Sequence, residues 1–143
     1  MAKKTVKTQD VVNGYAILKT VKIGKLDKAD QFKVIRNARA LKPVATAFDD
    51  FVTDARERLK PEGFDEIIEK SQRFKTLSDE ERADVNVAIM KHNKEVEDCV
   101  RAEAEKEVEI EMPETLSEAA LSGIVTENNL DVQSMMLLMD LCE

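Results

Sequence analysis

The chain has 143 residues, 43% hydrophobic and 36% charged, with no Trp, four Gly and three Pro, so its core must come from Leu, Ile, Val, Ala and Met. That composition predicts a single helical domain over residues 1–143, and the longest apolar run, Met135 to Met139, is far short of the ~20 residues that span a bilayer. The net charge of −7 is unevenly held: residues 1–43 carry nine Lys and two Arg against three Asp, and residues 44–143 carry 11 basic and 26 acidic groups.

The chain opens on Lys3-Lys4-Thr5-Val6-Lys7-Thr8, whose β-branched residues and alternation predict a short strand. Asp10 sits where an N-cap would, and Val11, Tyr15, Leu18 and Val21 at helical spacing predict a first helix ending near Gly24. Gly14 lowers helix propensity there and marks a close helix contact.

The stretch from Leu26 to Leu59 organises the chain. Ile35, Ala38, Leu41, Ala45, Phe48, Val52, Ala55 and Leu59 recur at spacings of three and four, the rhythm of a helix seam, and Asp27 is placed to cap it. Pro43 falls inside the pattern, but the seam keeps register on both sides. A continuous kinked helix is therefore expected, with a break at Pro43 as the alternative.

Lys60-Pro61-Glu62-Gly63 punctuates the end of that helix. A short helix with Phe64, Ile67, Ile68, Phe74 and Leu77 follows, and Ser78 with Glu81 forms a capping-box pattern that starts another helix at Asp79. Its seam, Val85, Ile89, His92, Val96 and Cys99, matches the earlier one, so the two helices are expected to pack as an antiparallel hairpin.

Glu107-Val108-Glu109-Ile110-Glu111-Met112 switches to strict alternation and Pro113 closes it. A lone strand leaves backbone groups unpaired, so the N-terminal segment is its expected partner, with Lys4 and Lys7 opposing Glu107, Glu109 or Glu111. The fold expected is mainly α, a long-helix hairpin or bundle with a small two-stranded β ribbon. Ser117 and Glu118 begin a short turn ending at Gly123, and Thr126 is read as the cap of an apolar last helix.

Asp10-Val11-Val12-Asn13-Gly14-Tyr15, Phe32-Lys33-Val34-Ile35-Arg36-Asn37-Ala38, the stretch from Phe48 to Leu59, and Glu107 to Ile110 followed by Leu116-Ser117-Glu118 and the apolar final helix carry a likeness. In this order the chain resembles small helical proteins of phages and prophages of low-GC Gram-positive bacteria. The chain departs from that pattern in its Glu127-Asn128-Asn129 linker and Met-rich finish. The resemblance implies a phage accessory or assembly protein working in the host cell cytoplasm, and supplies no catalytic residues.

His92, the only histidine, lies two turns of helix, ~10 Å, from Cys99, too far for a Cys–His nucleophile pair. Two cysteines give neither a disulfide framework nor a zinc pattern, no acidic spacing matches a metal site, and Gly14, Gly24, Gly63 and Gly123 are isolated, so no phosphate loop exists. A reduced, non-enzymatic protein without cofactor or metal is expected.

Two surfaces are candidates for binding. Phe32, Lys33, Arg36, Asn37, Arg39 and Lys42 line the basic half of the long helix, where Arg forks could grip phosphates and Phe32 could stack a base; the same cations could instead be neutralised by acidic neighbours. Met135, Met136, Leu138 and Met139 form an adaptable apolar run that serves as core or as an interface. Duplex DNA is not an expected partner, since the acidic remainder repels a polyanion. The sequence therefore predicts a homo-oligomeric binding protein. One form is a counter-defence factor that sequesters an anionic nucleotide signal or blocks a host defence protein; the alternative is a virion or tail assembly helper.

Overall fold

A computed structural model describes residues 2–143. Its elements are β1 (Ala2–Lys7), α1 (Thr8–Leu18), α2 (Lys28–Arg58), α3 (Phe64–Gln72), a 3-10 turn at Phe74–Thr76, α4 (Asp79–Ala104), β2 (Glu107–Met112), α5 (Glu118–Asn128) and α6 (Val132–Cys142). The chain is mainly α with a two-stranded ribbon. Its residues gather into two compact units: one holds the chain up to Phe48 together with Ala104–Glu143, the other Asp49–Glu103.

In the first unit β1 and β2 pair antiparallel, with Lys3 opposite Glu111, Val6 opposite Val108 and Lys7 opposite Glu107. Alternation sends the remaining lysine the other way. Lys4 stands opposite Ile110 on the covered side, and its Nζ donates to the carbonyls of Asp140 (2.6 Å) and Glu143 (3.4 Å). A cation thus meets the negative end of α6, where backbone carbonyls lack helical donors. On the outer side Lys3 pairs with Glu109 at 3.7 Å.

The first helix begins at Thr8, three residues earlier than the sequence suggests, so Asp10 lies in its first turn. The reason is the ribbon: the Thr8 amide and hydroxyl both donate to the Lys106 carbonyl at 2.9 Å, anchoring the helix start where β2 begins. The helix also ends at Leu18, not near Gly24; Asn128 holds the connection that follows by accepting from the Lys22 amide and donating to the Lys22 carbonyl. Gly14 is buried, and a Cβ there would collide with Leu141 of α6, which makes glycine the residue that lets α1 and α6 approach.

α2 is continuous through Pro43, and the Asp27 carboxylate accepts from the Asp30 amide at 2.8 Å, as a cap should. Its buried stripe is not quite the expected one. Val34, Asn37, Leu41, Ala45 and Phe48 are buried, whereas Ile35 is 44% exposed. Two stripes converge on Leu41, and the polar Asn37 disguises the one that packs. The core of this unit adds Val11, Leu18, Ile110, Met112, Leu116, Leu121, Ile124, Leu138 and Leu141.

The last two helices also differ from expectation. α5 runs through Gly123 and Thr126 to Asn128, with Ser117 as its cap (Ala120 amide to Ser117 Oγ, 3.1 Å) and Asn129 in the left-handed region at φ 50°. Thr126 is therefore not a cap. Asp131 starts α6, accepting from the Ser134 amide at 2.7 Å, and hydrogen bonds from Ser134 hold the Asp131 carboxyl below the ordinary carboxylate range. At Gly123 the space a Cβ would fill is taken by Leu26 Cδ2 at 2.9 Å.

In the second unit, Gly63 takes a left-handed φ of 77° before α3, as the turn sequence requires. Ser78 and Glu81 form the reciprocal box that starts α4: the Glu81 amide donates to Ser78 Oγ at 3.2 Å, and Ser78 Oγ donates to Glu81 Oε1 at 3.1 Å. Ala55, Phe64, Val85, His92 and Val96 are its buried residues. The end of α2 lies beside α4, shown by the Arg56 carbonyl at 2.9 Å from His92 Nε2 and the Arg58 guanidinium at 3.7 Å from Cys99 Sγ.

Candidate functional site

The basic residues of α2 do not act as one group. Asn37 is fully buried and leaves the face altogether: its Nδ2 donates to the Glu114 carbonyl at 3.0 Å, and its Oδ1 accepts from the Glu114 amide at 3.1 Å. An asparagine side chain carries the donor and acceptor of a peptide, so it pairs with one as a neighbouring strand would. Beside it, Arg36 Nε donates to the Glu114 carboxylate at 2.7 Å. One loop residue thus takes two of the six predicted ligand groups.

The rest sit as follows. Phe32 (54% exposed), Ile35, Arg39 and Lys42 share the outward face of α2, opposite the Val34–Leu41 stripe, and Lys33 is half-buried on a flank. Arg39 and Lys42 make no ion pair among the described residues. None of the concavities described below is lined by this face. It is an exposed apolar pair fenced by free cations.

The Met-rich run divides more cleanly. Leu138 is fully buried and belongs to the core. Met136 (60% exposed) and Met139 (45% exposed) stand outward, with Val132 behind them and Met135 half-buried between. Val132, Met135, Met136 and Met139 follow i, i+3, i+4, i+7, the spacing of one helix face. Beside that stripe runs a groove of about 350 Å³ between α5 and α6, walled by Leu121, Val125, Met135 and Met139, floored by Leu138 and ended by Glu118 and Glu143. Val132 and the α5 wall escaped the sequence reading, although the same spacing points to Val132. Residues 107–143 contain nine Asp and Glu and no Lys or Arg, a signal that was present in the sequence.

A second concavity, about 630 Å³, lies in the second unit and is lined by apolar residues such as Val52, Ile68, Ile89 and Val96, with Arg56, Lys60 and Glu97 beside them. His92 lies in its wall, with its ring 4.3 Å from that of Phe64 and its Nε2 bonded to the Arg56 carbonyl. Arg58 donates to Cys99. Both residues are therefore engaged in holding helices together. In the first unit, burial pushes the Cys142 thiol up to about 11, against the opposing pull of the Asn37 amide and Lys4. Among the described residues no group of three His, Cys, Asp or Glu could hold a metal ion, and no helix is long and apolar enough to cross a membrane.

Set against protein-family models, curated proteins and solved structures, the chain has no match in any of the three.

Proposed function

We propose that the protein is a non-enzymatic interaction protein of the phage assembly-helper type, which holds another protein through the outer stripe of α6 and the groove beside it. The observation that carries this reading is the run of exposed apolar side chains, Val132, Met136 and Met139, on a helix whose opposite face is core. A run of this kind on a folded surface marks a place where another molecule sits. Unbranched Met side chains repack around different partners, and a groove between two helices takes a third helix. The surrounding segment is acidic without exception, so the partner helix is basic.

Sequestration of an anionic nucleotide by α2 has less support, because Asn37 is buried, Arg36 is paired with Glu114, and Arg39 and Lys42 stand on the exposed outer face of the helix. Blocking a host defence protein would use the same α6 surface and differs only in the partner.

A fluorescently labelled amphipathic Lys/Leu helical peptide probes the groove by anisotropy. It binds the wild type, and Met136→Ser with Met139→Ser weakens it about tenfold while circular dichroism is unchanged. Equal affinity in both proteins would mean that simple charge attraction explains the binding, and the reading fails. It fails equally if a nucleotide raises the melting temperature and Arg39→Ala removes that rise.

A further inference from the structure

The partner proposed for the α6 surface is a basic amphipathic helix, and the chain itself carries such a face. On α2, Lys28, Phe32, Ile35, Arg39 and Lys42 follow spacings of four and three on the side turned away from the core. Phe32 and Ile35 are exposed, and Lys28, Arg39 and Lys42 have no ion-pair partner among the described residues. Exposed apolar side chains in the middle of a solvated helix face are left uncovered within the chain.

The α6 surface is the counterpart in each respect. Its stripe is apolar, the groove ends on Glu118 and Glu143, and neither carboxylate is in an ion pair among the described residues. Lys4 stands beside it, but its Nζ is held by the Asp140 and Glu143 carbonyls. The two stripes, Phe32 to Lys42 and Val132 to Glu143, each run about 15 Å along their helices at 1.5 Å per residue. Both lie in the first compact unit.

We infer that the α2 outer face of one copy docks on the α5–α6 groove of a second copy, placing Phe32 and Ile35 against the Met stripe and Arg39 and Lys42 against Glu118 and Glu143. This rests on the reading of the α6 surface as a protein-binding site and names its occupant. The contact pairs two different patches, so each copy offers both halves of it.

Charge reversal tests the pairing, since all four charged residues are exposed and their replacement leaves the core intact. Wild type gains mass with rising concentration in sedimentation velocity, and loses it as salt screens the contact. Arg39→Glu with Lys42→Glu sets acid against acid and is monomeric, and Glu118→Lys with Glu143→Lys sets base against base and is monomeric too. Mixing the two variants restores complementary pairs in both directions, so association returns. Variants that associate as wild type does, or a mixture that stays monomeric, overturn the inference. A wild type that is monomeric throughout also overturns it and leaves the groove reading to stand or fall on the Lys/Leu peptide.

Discussion

Asn37 shows how one side chain can decide what a surface is. By polarity and position it belongs to the basic face of α2, but its amide is matched donor to acceptor and acceptor to donor with the peptide of Glu114. Replacing it with Leu leaves both of those backbone groups without partners in a partly buried place, at about 1–3 kcal/mol for each unmet group. Urea unfolding of Asn37→Leu should therefore show a loss of about 3 kcal/mol, against less than about 1 kcal/mol for Arg36→Ala, whose ion pair is partly exposed. Cys142 makes a second residue-scale case. Its thiol is held neutral by burial, with a folded value of about 11 against an ordinary 9.0. The unfolded chain thus releases the proton first as pH rises, so this contribution is complete below pH 9 and is lost between about 9 and 11. It amounts to about 2–3 kcal/mol at 1.4 kcal/mol per unit. Wild type should lose stability over that window more steeply than Cys142→Ala; parallel curves would contradict the assignment.

At the scale of elements, the close approach of α1 and α6 depends on Gly14. A methyl group there meets Leu141, and overfilling a packed site costs about 1–3 kcal/mol. Gly14→Ala should lower stability by that amount in spite of alanine's better helix propensity, and a gain would show the contact to be loose. Gly14 as a point of close contact was legible in the sequence, as were the capping box at Ser78, the Asp27 cap and the ribbon, because each is a local pattern with one physical meaning. The ribbon's partner was found by exclusion: a strand must pair, and the chain offered one candidate. The structure departs from the sequence pattern where tertiary contacts override local signals. Helix α1 starts early because Lys106, 98 residues away in the chain, accepts from Thr8. Asp131 displaced Thr126 as cap because nothing in the local sequence breaks α5 before Asn129 takes its left-handed turn. From Leu41 to Ala55 the expected seam of α2 is the buried one; only its first turn departs, with Val34 and Asn37 buried and Ile35 exposed, because hydrophobic spacing cannot register a buried asparagine.

For the whole molecule, the charge layout explains most. The basic N-terminal part and the acidic C-terminal part belong to one compact unit, where Lys3 meets Glu109, Arg36 meets Glu114, and Lys4 meets the carbonyl end of α6. That uses part of the asymmetry and leaves two remainders on different helices: free cations around Phe32 and Ile35, and free carboxylates around the Met stripe. The site was only half legible from sequence, since periodicity marks an apolar run without saying which members face inward; Leu138 went to the core and Val132 to the surface.

The central claim is that the α6 stripe is a protein-binding surface. A photo-activatable side chain placed at Met139, with one at exposed Glu69 of α3 as a control, measures it most directly in cells that make the protein. Irradiation should give a discrete protein adduct from position 139 and none from position 69. Equal yields from both positions, or no adduct from 139, would contradict the account.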